Sequence, residues 1–377
     1  MTESFDIVIV GGGIAGAALA HFLGGRRDVL LIEREAQHGY HSTGRSAAEF
    51  TRRFHAPLVG RLAEVSWDFL TRPPEGFAEV ELLKPRGNLL IADAEKADHL
   101  AAVFARERAA GGSPIEWLTP AEAIARAPIL REDYVAAAFY DPDCYDVEVE
   151  NLLQGFVRSA RRTGTRIELG ATLTAARRDG DGFVLETTRG AFRAGIVVNA
   201  AGGWADPVAA LFGAASPGLT PYRRTAITVD LPAGIDANSL PEINEIDEVY
   251  YFKPDAGRLM VSPADATPTE PCDAQPEELD IAYAAWYLEQ ATTVPVRAIA
   301  HKWAGLRTFA PDRAPLVGFA PDQPGFFWLA GLGGYGIQSS PAIGRYAAAL
   351  LLDGAPPADM VARGVDPAAL DPARFRS

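Results

Sequence analysis

The chain has 377 residues, more than one typical hydrophobic core requires, and this length suggests about two domains. Hydrophobic residues make up 48% of the chain and charged residues 22%, as in an ordinary soluble globular protein. The net charge of −14 argues against nucleic acid and against anionic membrane surfaces as partners.

The first residues lead directly into an apolar strand. Residues 1–6 have no basic region, so the sequence predicts no signal peptide. Apolar runs long enough to span a membrane do not occur outside the glycine-interrupted segment 7–23. The two cysteines are too few for a disulfide scaffold, and no His/Cys group has metal-ligand spacing. We therefore expect a cytoplasmic protein without a membrane span or a metal site.

The most informative motif is a glycine-rich turn between the first predicted strand and the first predicted helix. An Ile-Val-Ile-Val run precedes Gly11, Gly13 and Gly16, spaced Gly-x-Gly-x-x-Gly, and an Ala-rich helical segment follows over 14–23. The first glycine permits a tight turn, the second lets a pyrophosphate approach the backbone, and the third lets helix and strand pack closely. The helix N-terminus then offers free N–H groups to phosphates.

An acidic residue completes this pattern. Glu33 ends the next apolar run, 29–32, and lies 22 residues after Gly11, where a carboxylate accepts a hydrogen bond from a ribose hydroxyl. Strand, helix, second strand and acid occur together, so the sequence predicts dinucleotide binding. The alternative is a glycine-rich turn that binds no ligand, with Glu33 as a solvated strand end.

The remaining elements interleave pieces of this fold with inserted segments. Pieces of a dinucleotide fold occur at the N-terminus, near 145–215 and at the C-terminus, an arrangement more typical of flavoproteins than of nicotinamide dehydrogenases by analogy of fold. In chain order, the patterns predict helices over 57–70 and 94–110, strands over 80–93, a helix over 147–161, a hairpin around 179–182, a strand over 196–201, strands over 222–260, a helix over 277–290, a strand over 326–330 and a helix over 341–352.

Several motifs occur in a fixed order along the chain. They are Glu33-Arg-Glu-Ala, His41-Ser-Thr-Gly-Arg-Ser-Ala-Ala48, Val197-Val-Asn-Ala-Ala-Gly202, Trp303-Ala-Gly-Leu-Arg307, Pro311-Asp312 and Gly333-Gly-Tyr-Gly-Ile-Gln338. In this order the sequence resembles the D-amino-acid-oxidase-like family of FAD-dependent oxidoreductases, and within it most closely the bacterial D-arginine dehydrogenases. The resemblance runs from about residue 5 to about residue 370.

The resemblance implies an α/β fold in which a Rossmann-like FAD-binding domain is interleaved with an α+β substrate-binding domain. The FAD-binding domain is assigned to 1–50, 144–220 and 306–377, and the substrate-binding domain to 51–143 and 221–305. The implied cofactor is non-covalent FAD. The implied reaction is oxidative deamination of a D-amino acid to a 2-oxo acid and ammonia, with hydride transfer from the α-carbon to flavin N5.

The turn motif and the resemblance together assign the cofactor site. Hydroxyl and N–H groups of 42–46 suit phosphate or the flavin edge, although an ordinary capped turn is the alternative. The glycines of 331–336 open a helix whose N-terminus would stabilise an anionic reduced flavin, although a flexible loop is the alternative. The assigned residues are Gly11, Gly13, Ile14, Ala15, Gly16, Glu33, Arg34, Ser42, Thr43, Arg45, Ser46, Ala47, Leu173, Ala201, Gly202, Trp204, Gly305, Gly333, Gly334, Tyr335, Gly336, Ile337 and Gln338.

Three residues match catalytic positions of the family. Arg307 and Arg224 match substrate-site arginines, and a guanidinium binds a carboxylate bidentately. Arg223 is adjacent to Arg224, and strand alternation sends the two side chains to opposite faces. Tyr251 matches a substrate-contacting tyrosine, so its neighbour Tyr250 should point away. The alternatives are a solvated arginine and a core tyrosine.

The remaining pocket positions bear on the substrate side chain. The D-arginine enzymes have a carboxylate where this chain has Asn88, a tyrosine where it has Phe54 and a histidine where it has Glu49. Loss of the carboxylate favours neutral side chains over a guanidinium, whereas Glu49 argues for a long cation. Gly334 and Tyr335 complete the predicted pocket.

Two further absences concern the electron acceptor. Sarcosine-oxidase relatives have a lysine near the flavin that promotes reaction with O2, and a cysteine that attaches the flavin. The matching segments 257–262 and 305–308 contain neither residue. We therefore expect a quinone or another acceptor that is not O2. The alternatives are an O2-using oxidase of D-amino or N-methyl amino acids, and a flavin-binding subunit without turnover.

Overall fold

A computed structural model describes residues 2–53 and 56–375. Phe54, a predicted pocket residue, falls outside these ranges. The strands are β1 (Glu3–Val10), β2 (Val29–Glu33), β3 (Glu49–Thr51), β4 (Leu83–Pro85), β5 (Asn88–Ala92), β6 (Glu116–Leu118), β7 (Ala137–Asp141), β8 (Cys144–Val147), β9 (Arg166–Leu169), β10 (Leu173–Asp179), β11 (Gly182–Thr187), β12 (Gly190–Asn199), β13 (Thr220–Val229), β14 (Glu242–Glu245), β15 (Tyr251–Asp255), β16 (Arg258–Ser262), β17 (Thr267–Pro268), β18 (His301–Phe309), β19 (Leu316–Phe319) and β20 (Phe326–Ala330).

The helices lie against two large sheets. They are α1 (Ile14–Leu23), α2 (Pro57–Thr71), α3 (Ala97–Ala110), α4 (Pro120–Arg126), α5 (Val149–Arg162), α6 (Ala205–Phe212), α7 (Glu278–Ala291), α8 (Gly336–Asp353), α9 (Ala358–Ala362) and α10 (Pro367–Leu370). Within the described ranges, none of these helices has both the length and the apolar character needed to cross a membrane.

The first sheet carries the predicted dinucleotide fold. Its strand order is β10-β11-β12-β1-β2-β9, with β20 on β12 and β19 on β20. The β20, β12, β1, β2 and β9 strands are parallel, so the second half of β1, from Ile7, and most of β2 are buried on both faces and read as continuous apolar runs. Helices α1, α5 and α8 pack together beside this sheet. The carboxyl ends of β1 and β12 meet where Val10 pairs with Asn199.

The second sheet builds the wall opposite the nucleotide fold. Its order is β17-β13-β16-β15-β14-β5-β7-β6, with β18 paired to β13. A third sheet joins β3, β8 and β4. This mixed α/β architecture is the predicted fold class. The predicted domain boundaries stay predictions, and β18 continues without a break across the one placed after residue 305.

Two predicted helix starts were wrong. The helix predicted over 147–161 begins at Val149, and β8 takes up residues 144–147. The helix predicted from Pro341 begins at Gly336, so Pro341 lies inside α8. Proline favours the first turn of a helix, which is why the sequence misplaced this start.

Candidate functional site

Two cavities lie between the large sheets. The first has a volume of about 510 Å³ and extends along the carboxyl ends of β1, β2 and β12. The second has a volume of about 640 Å³ and lies beside the second sheet. They share a border formed by Ser46, Ala47, Arg224, Tyr251, Arg307, Gly334 and Ile337.

The glycine-rich turn shapes the first cavity. Gly11 has φ +112°, and a Cβ there would lie 2.4 Å from the Ala200 carbonyl oxygen. A Cβ on Gly16 would lie 2.0 Å from the Gly11 carbonyl oxygen, so this glycine sets the packing of α1 on its own turn. Gly13 faces the cavity, and a Cβ there would meet only Thr43 Oγ1, at 3.6 Å. The three glycines therefore differ in their surroundings: Gly11 has a positive φ, Gly16 is closely packed, and Gly13 is open to the cavity, where the predicted approach of a pyrophosphate stays a prediction.

Glu33 lies at the end of β2 and lines the first cavity. One carboxylate oxygen accepts a hydrogen bond from the Gly12 N–H at 2.7 Å, and the other accepts from the Glu35 N–H at 2.9 Å. The carboxylate is half-buried and held in place, unlike a freely solvated strand end. A ribose hydroxyl in this cavity would meet an oriented acceptor.

The predicted loop over 42–47 closes the first cavity from the side of the second sheet. Thr43 Oγ1 accepts from the Ile14 N–H at 3.1 Å, at the start of α1. Arg45 donates to the Ala304 carbonyl at 2.9 Å, and Trp303 Nε1 donates to the Arg45 carbonyl at 3.1 Å. The loop is thus bound to α1 on one side and to β18 of the second sheet on the other. The Arg45 guanidinium is engaged in holding this loop in place.

Most of the predicted cofactor residues line the first cavity. The exceptions are Gly16, which packs inside the turn, and Tyr335 and Gln338, which line the second cavity. Arg34 lies over the Trp204 ring with its guanidinium carbon 3.9 Å from the ring centroid. The cavity therefore combines a glycine cradle, an oriented acidic residue and an aromatic platform, which fit an elongated dinucleotide such as FAD.

Helix α8 begins at the border between the cavities. Gly333 has φ +54°, and a Cβ there would lie 2.1 Å from the Phe309 ring. Gly334 and Gly336 follow in the lining, and Gly336 is the first residue of α8. The positive end of the helix dipole therefore lies beside the shared lining, where it would stabilise negative charge.

Two arginines converge at the same border. Arg224 lies on β13 and Arg307 on the adjacent strand β18, two residues apart in register. In the described part of the chain, neither forms an ion pair with a carboxylate. Arg224 Nε donates to the Asp265 carbonyl at 2.7 Å. Burial and the positive charge of Arg307 lower the pKa of Arg224. Two half-buried guanidinium groups that form no ion pair with a described carboxylate could together hold an anion.

Because side chains alternate along a strand, the predicted site residues and their immediate neighbours lie on opposite faces of the second sheet. Arg223 points away from the cavities and pairs with Asp280 at 2.8 Å. The Tyr250 hydroxyl donates to the Tyr134 hydroxyl at 2.8 Å inside the core. Tyr251 lines both cavities beside Arg224 and raises the pKa of that guanidinium, which favours its charged form. The structure thus places Arg224 and Tyr251 where the sequence predicts them.

The second cavity brings further polar residues together. Glu49, Asn88, Gly334 and Tyr335 all line it, as predicted. Asn88 Oδ1 accepts from Asn244 Nδ2 at 3.1 Å.

Glu242 also lines the second cavity, opposite Asn88 in the β5–β14 register, and was not predicted. Burial and the negative charge of Glu242 raise the pKa of Glu49 well above its usual value.

A buried lysine lies behind this wall and was also missed. Lys253 Nζ donates to the carbonyls of Ala47 at 2.7 Å and Ala48 at 3.1 Å, and pairs with Asp146 at 2.7 Å. Lys253 lies four residues before the segment 257–262, where the sequence comparison places the flavin-side lysine of sarcosine-oxidase relatives. Lys253 is engaged by these partners and is not part of either cavity lining.

Glu49, Cys144 and Glu242 form a cluster with ligand atoms within 4.8 Å of one another. They come from β3, β8 and β14, so no sequence spacing predicted their meeting. Burial raises the pKa of the Cys144 thiol, which keeps it neutral.

Comparisons with known proteins agree with this geometry. A family model described as DAO, FAD dependent oxidoreductase, matches residues 6–350. Glycine oxidase of Geobacillus kaustophilus (strain HTA426) is 29% identical over 369 residues, covering 93% of this chain and 94% of that protein. A crystal structure of glycine oxidase from Geobacillus kaustophilus superposes with a TM-score of 0.80 at 25% identity, covering 97% and 99% of the two chains.

A further relative is longer than this chain. Mitochondrial dimethylglycine dehydrogenase of Rattus norvegicus is 26% identical over 401 residues, which cover 98% of this chain and 45% of that protein. The chain thus spans about half the length of this relative. Together these relatives support the wider family and not specifically the D-arginine dehydrogenases.

Proposed function

Because the chain belongs to the DAO family of FAD-dependent oxidoreductases, we propose that it oxidises a carbon–nitrogen bond of an amino acid held by its carboxylate. The observation that carries this proposal is the pair Arg224 and Arg307 at the border of the two cavities. Their guanidinium groups have no carboxylate partner among the described residues, and a substrate carboxylate would supply one.

We assign FAD to the first cavity, with the flavin end toward the shared lining. Gly13 and Glu33 would hold the pyrophosphate and ribose, and the N-terminus of α8 would face the flavin end. When bound, FAD would accept a hydride, with its two electrons, from the C–H bond beside the substrate nitrogen, so that the carbon–nitrogen single bond becomes a double bond.

The side chains at the border bind and orient the substrate. Arg307 and Arg224 fix its carboxylate, and the Asp265 carbonyl holds the Arg224 guanidinium by accepting a hydrogen bond from Nε at 2.7 Å. Fixing the carboxylate at two points restricts the rotation of the neighbouring amine-bearing carbon, which contributes to the rate by orientation.

The amine itself has two candidate classes. The sequence favoured D-amino acids and an acceptor that is not O2. The named activities of the relatives, on glycine and dimethylglycine, favour the alternative of glycine-type and N-methylated amino acids, including oxidase chemistry. The second cavity, at about 640 Å³, is within the usual range of small-molecule sites and leaves room for a side chain.

Anaerobic bleaching of the flavin absorbance tests the proposal. We expect reduction by at least one compound from a panel of D-amino acids, their L-enantiomers, glycine, N-methylglycine and N,N-dimethylglycine. The amine that lacks only the carboxylate of the best substrate is the matched control and should react at least about 100-fold more slowly. Equal reduction by that amine, or no reduction by any amino acid, would refute the proposal. Peroxide formation in air then separates oxidase from dehydrogenase.

A further inference from the structure

The acidic wall of the second cavity has no task in the proposed function. Glu49 of β3 and Glu242 of β14 line it side by side. Glu242 is only 2% exposed, and its Oε2 atom has no hydrogen-bond partner among the described residues. Leaving a buried carboxylate oxygen without a donor is unfavourable, so a donor from a ligand would stabilise this site.

The charges around this pair do not balance. Asp146 is bound by both nearby cations, Lys253 at 2.7 Å and Arg86, whose Nε donates to it at 2.7 Å. Among the buried and half-buried groups, Glu49, Glu242 and Asp146 thus set three carboxylates against two cations, which leaves one uncompensated negative charge. A fourth carboxylate, Glu248, also acts on Glu49 but is exposed to solvent. A proton shared by Glu49 and Glu242, or one positive charge from a ligand, completes the balance.

The position of the pair in the sheet shows which part of a substrate reaches it. Arg224 is on β13 and Glu242 on β14, and β16 and β15 lie between them. Three strand spacings separate their backbones by about 14 Å across the sheet, and the strand register adds an offset of four residues, about 13 Å, along the strands. The amine and carboxylate carbon of an α-amino acid are only about 2.5 Å apart. A substrate anchored on the arginines would therefore reach the pair with the end of its side chain.

We propose that Glu49 and Glu242 form a second subsite that binds a positively charged ammonium or guanidinium group at the end of the substrate side chain. This inference rests on the proposed function, because it needs the substrate carboxylate on the arginines. It also changes the interpretation of Asn88. The sequence suggested that a cation would lack a partner, but Glu242, which lies opposite Asn88 in the sheet, supplies one.

Binding at this subsite is linked to proton release. Without ligand, burial and Glu242 keep the pKa of Glu49 well above its usual value. The groups that face Glu49 are Glu242 of β14, Lys253 of β15, Cys144 of β8 and Glu248 of the β14–β15 turn. A cation displaces the shared proton, so its binding weakens as pH falls through the raised pKa of the pair. A substrate with a neutral side chain has no such dependence on the pair.

The experiment compares lysine with norleucine, in the enantiomer that the holoenzyme accepts, by anaerobic flavin reduction. The two side chains have similar reach and differ mainly in charge, so the ratio of their kcat/KM values cancels effects on the α-amine. We expect at least a tenfold preference for lysine, which declines as pH falls. Glu242→Gln should lower the ratio by about 10- to 100-fold while norleucine changes less than about threefold.

Two further variants complete the test. Glu107→Gln removes a carboxylate from the same cavity, on α3, outside the pair, and should leave the ratio unchanged. Glu49→Gln provides the same test as Glu242→Gln if the latter fails to fold.

Several outcomes would overturn the subsite. The subsite alone is contradicted if norleucine reduces the flavin as well as lysine does, or if the ratio is unchanged in both Glu242→Gln and Glu49→Gln. It is also contradicted if the purified protein contains one metal ion per chain and Glu242→Gln loses that ion. No reduction by any amino acid overturns the proposed function and the subsite with it.

Discussion

At the scale of single residues, the site depends on which of two neighbours faces the cavities. Arg223 and Arg224 have the same side chain, but Arg223 forms ion pairs with Glu277 and Asp280. Among the described residues Arg224 forms no ion pair and donates to the backbone carbonyl of Asp265. The chemistry of an arginine is therefore set by the sheet face it occupies. The paired guanidinium stabilises the fold, and the unpaired one is available to an anionic ligand.

Replacing Arg307 with methionine separates binding from stability. Arg307→Met removes a charge-assisted contact to the substrate carboxylate worth roughly 2–5 kcal/mol, so kcat/KM should fall by about 30-fold to several thousand-fold. It also removes the like charge beside Arg224, so the melting temperature should stay the same or rise. Steady-state kinetics and thermal unfolding measure the two effects.

A matched control for this prediction is Arg72→Met, which removes an exposed arginine at the end of α2. This variant should leave kcat/KM unchanged. Arg307 has no part in carboxylate binding if Arg307→Met retains kcat/KM within threefold of the parent.

Residues that belong to local sequence motifs could be predicted. Residues whose role depends on which strands lie next to each other could not. Arg307 lies in an apolar strand motif, and Glu33 follows a buried run, so the sequence alone identified both. The roles of Glu242 and Lys253 depend on their positions on the neighbouring strands β14 and β15, and on the approach of Glu49 from a separate sheet. No spacing along the chain encodes that proximity, although a glutamate in a strand with apolar neighbours was a signal.

At the scale of elements, the turn before α1 assigns different tasks to similar glycines. Gly16 allows α1 to pack on the turn, and Gly13 faces the cavity with an ordinary extended conformation, φ −73° and ψ −176°. The stability of the element and its binding of a nucleotide therefore depend on different residues. The sequence motif predicted both because the spacing of the glycines is local.

A pair of alanine variants tests this division. Gly13→Ala should leave the urea midpoint of the FAD-free protein nearly unchanged, because its Cβ meets only Thr43 Oγ1. The same methyl group projects toward the assigned pyrophosphate position, so FAD affinity should fall at least tenfold. Gly16→Ala should destabilise the protein by about 1–3 kcal/mol or more through overpacking against the Gly11 carbonyl. Normal FAD affinity in Gly13→Ala would show that the pyrophosphate lies elsewhere.

At the scale of the whole molecule, the first cavity joins segments that are far apart in the chain. Its lining comes from the N-terminal turn, the loop near residue 43, residues near 172 and 204, β18, and the start of α8. The sequence predicted this interleaving from the order of its motifs. The sequence did not predict where β18 and β8 would pair, because pairing partners are chosen by tertiary packing.

A ligand that contacts all these segments should stabilise the entire fold. FAD held at about 1,000 times its Kd adds about 4 kcal/mol to the free energy of unfolding, so its removal should lower the melting temperature by roughly 5–10 °C. Thermal unfolding with and without added FAD measures this shift.

Segments 305–308 and 329–337 of the lining contain no cysteine, so acid precipitation should release the yellow cofactor into the supernatant. Flavin retained on the precipitate would reveal a covalent bond, and an unchanged melting temperature would mean that FAD does not bridge these segments.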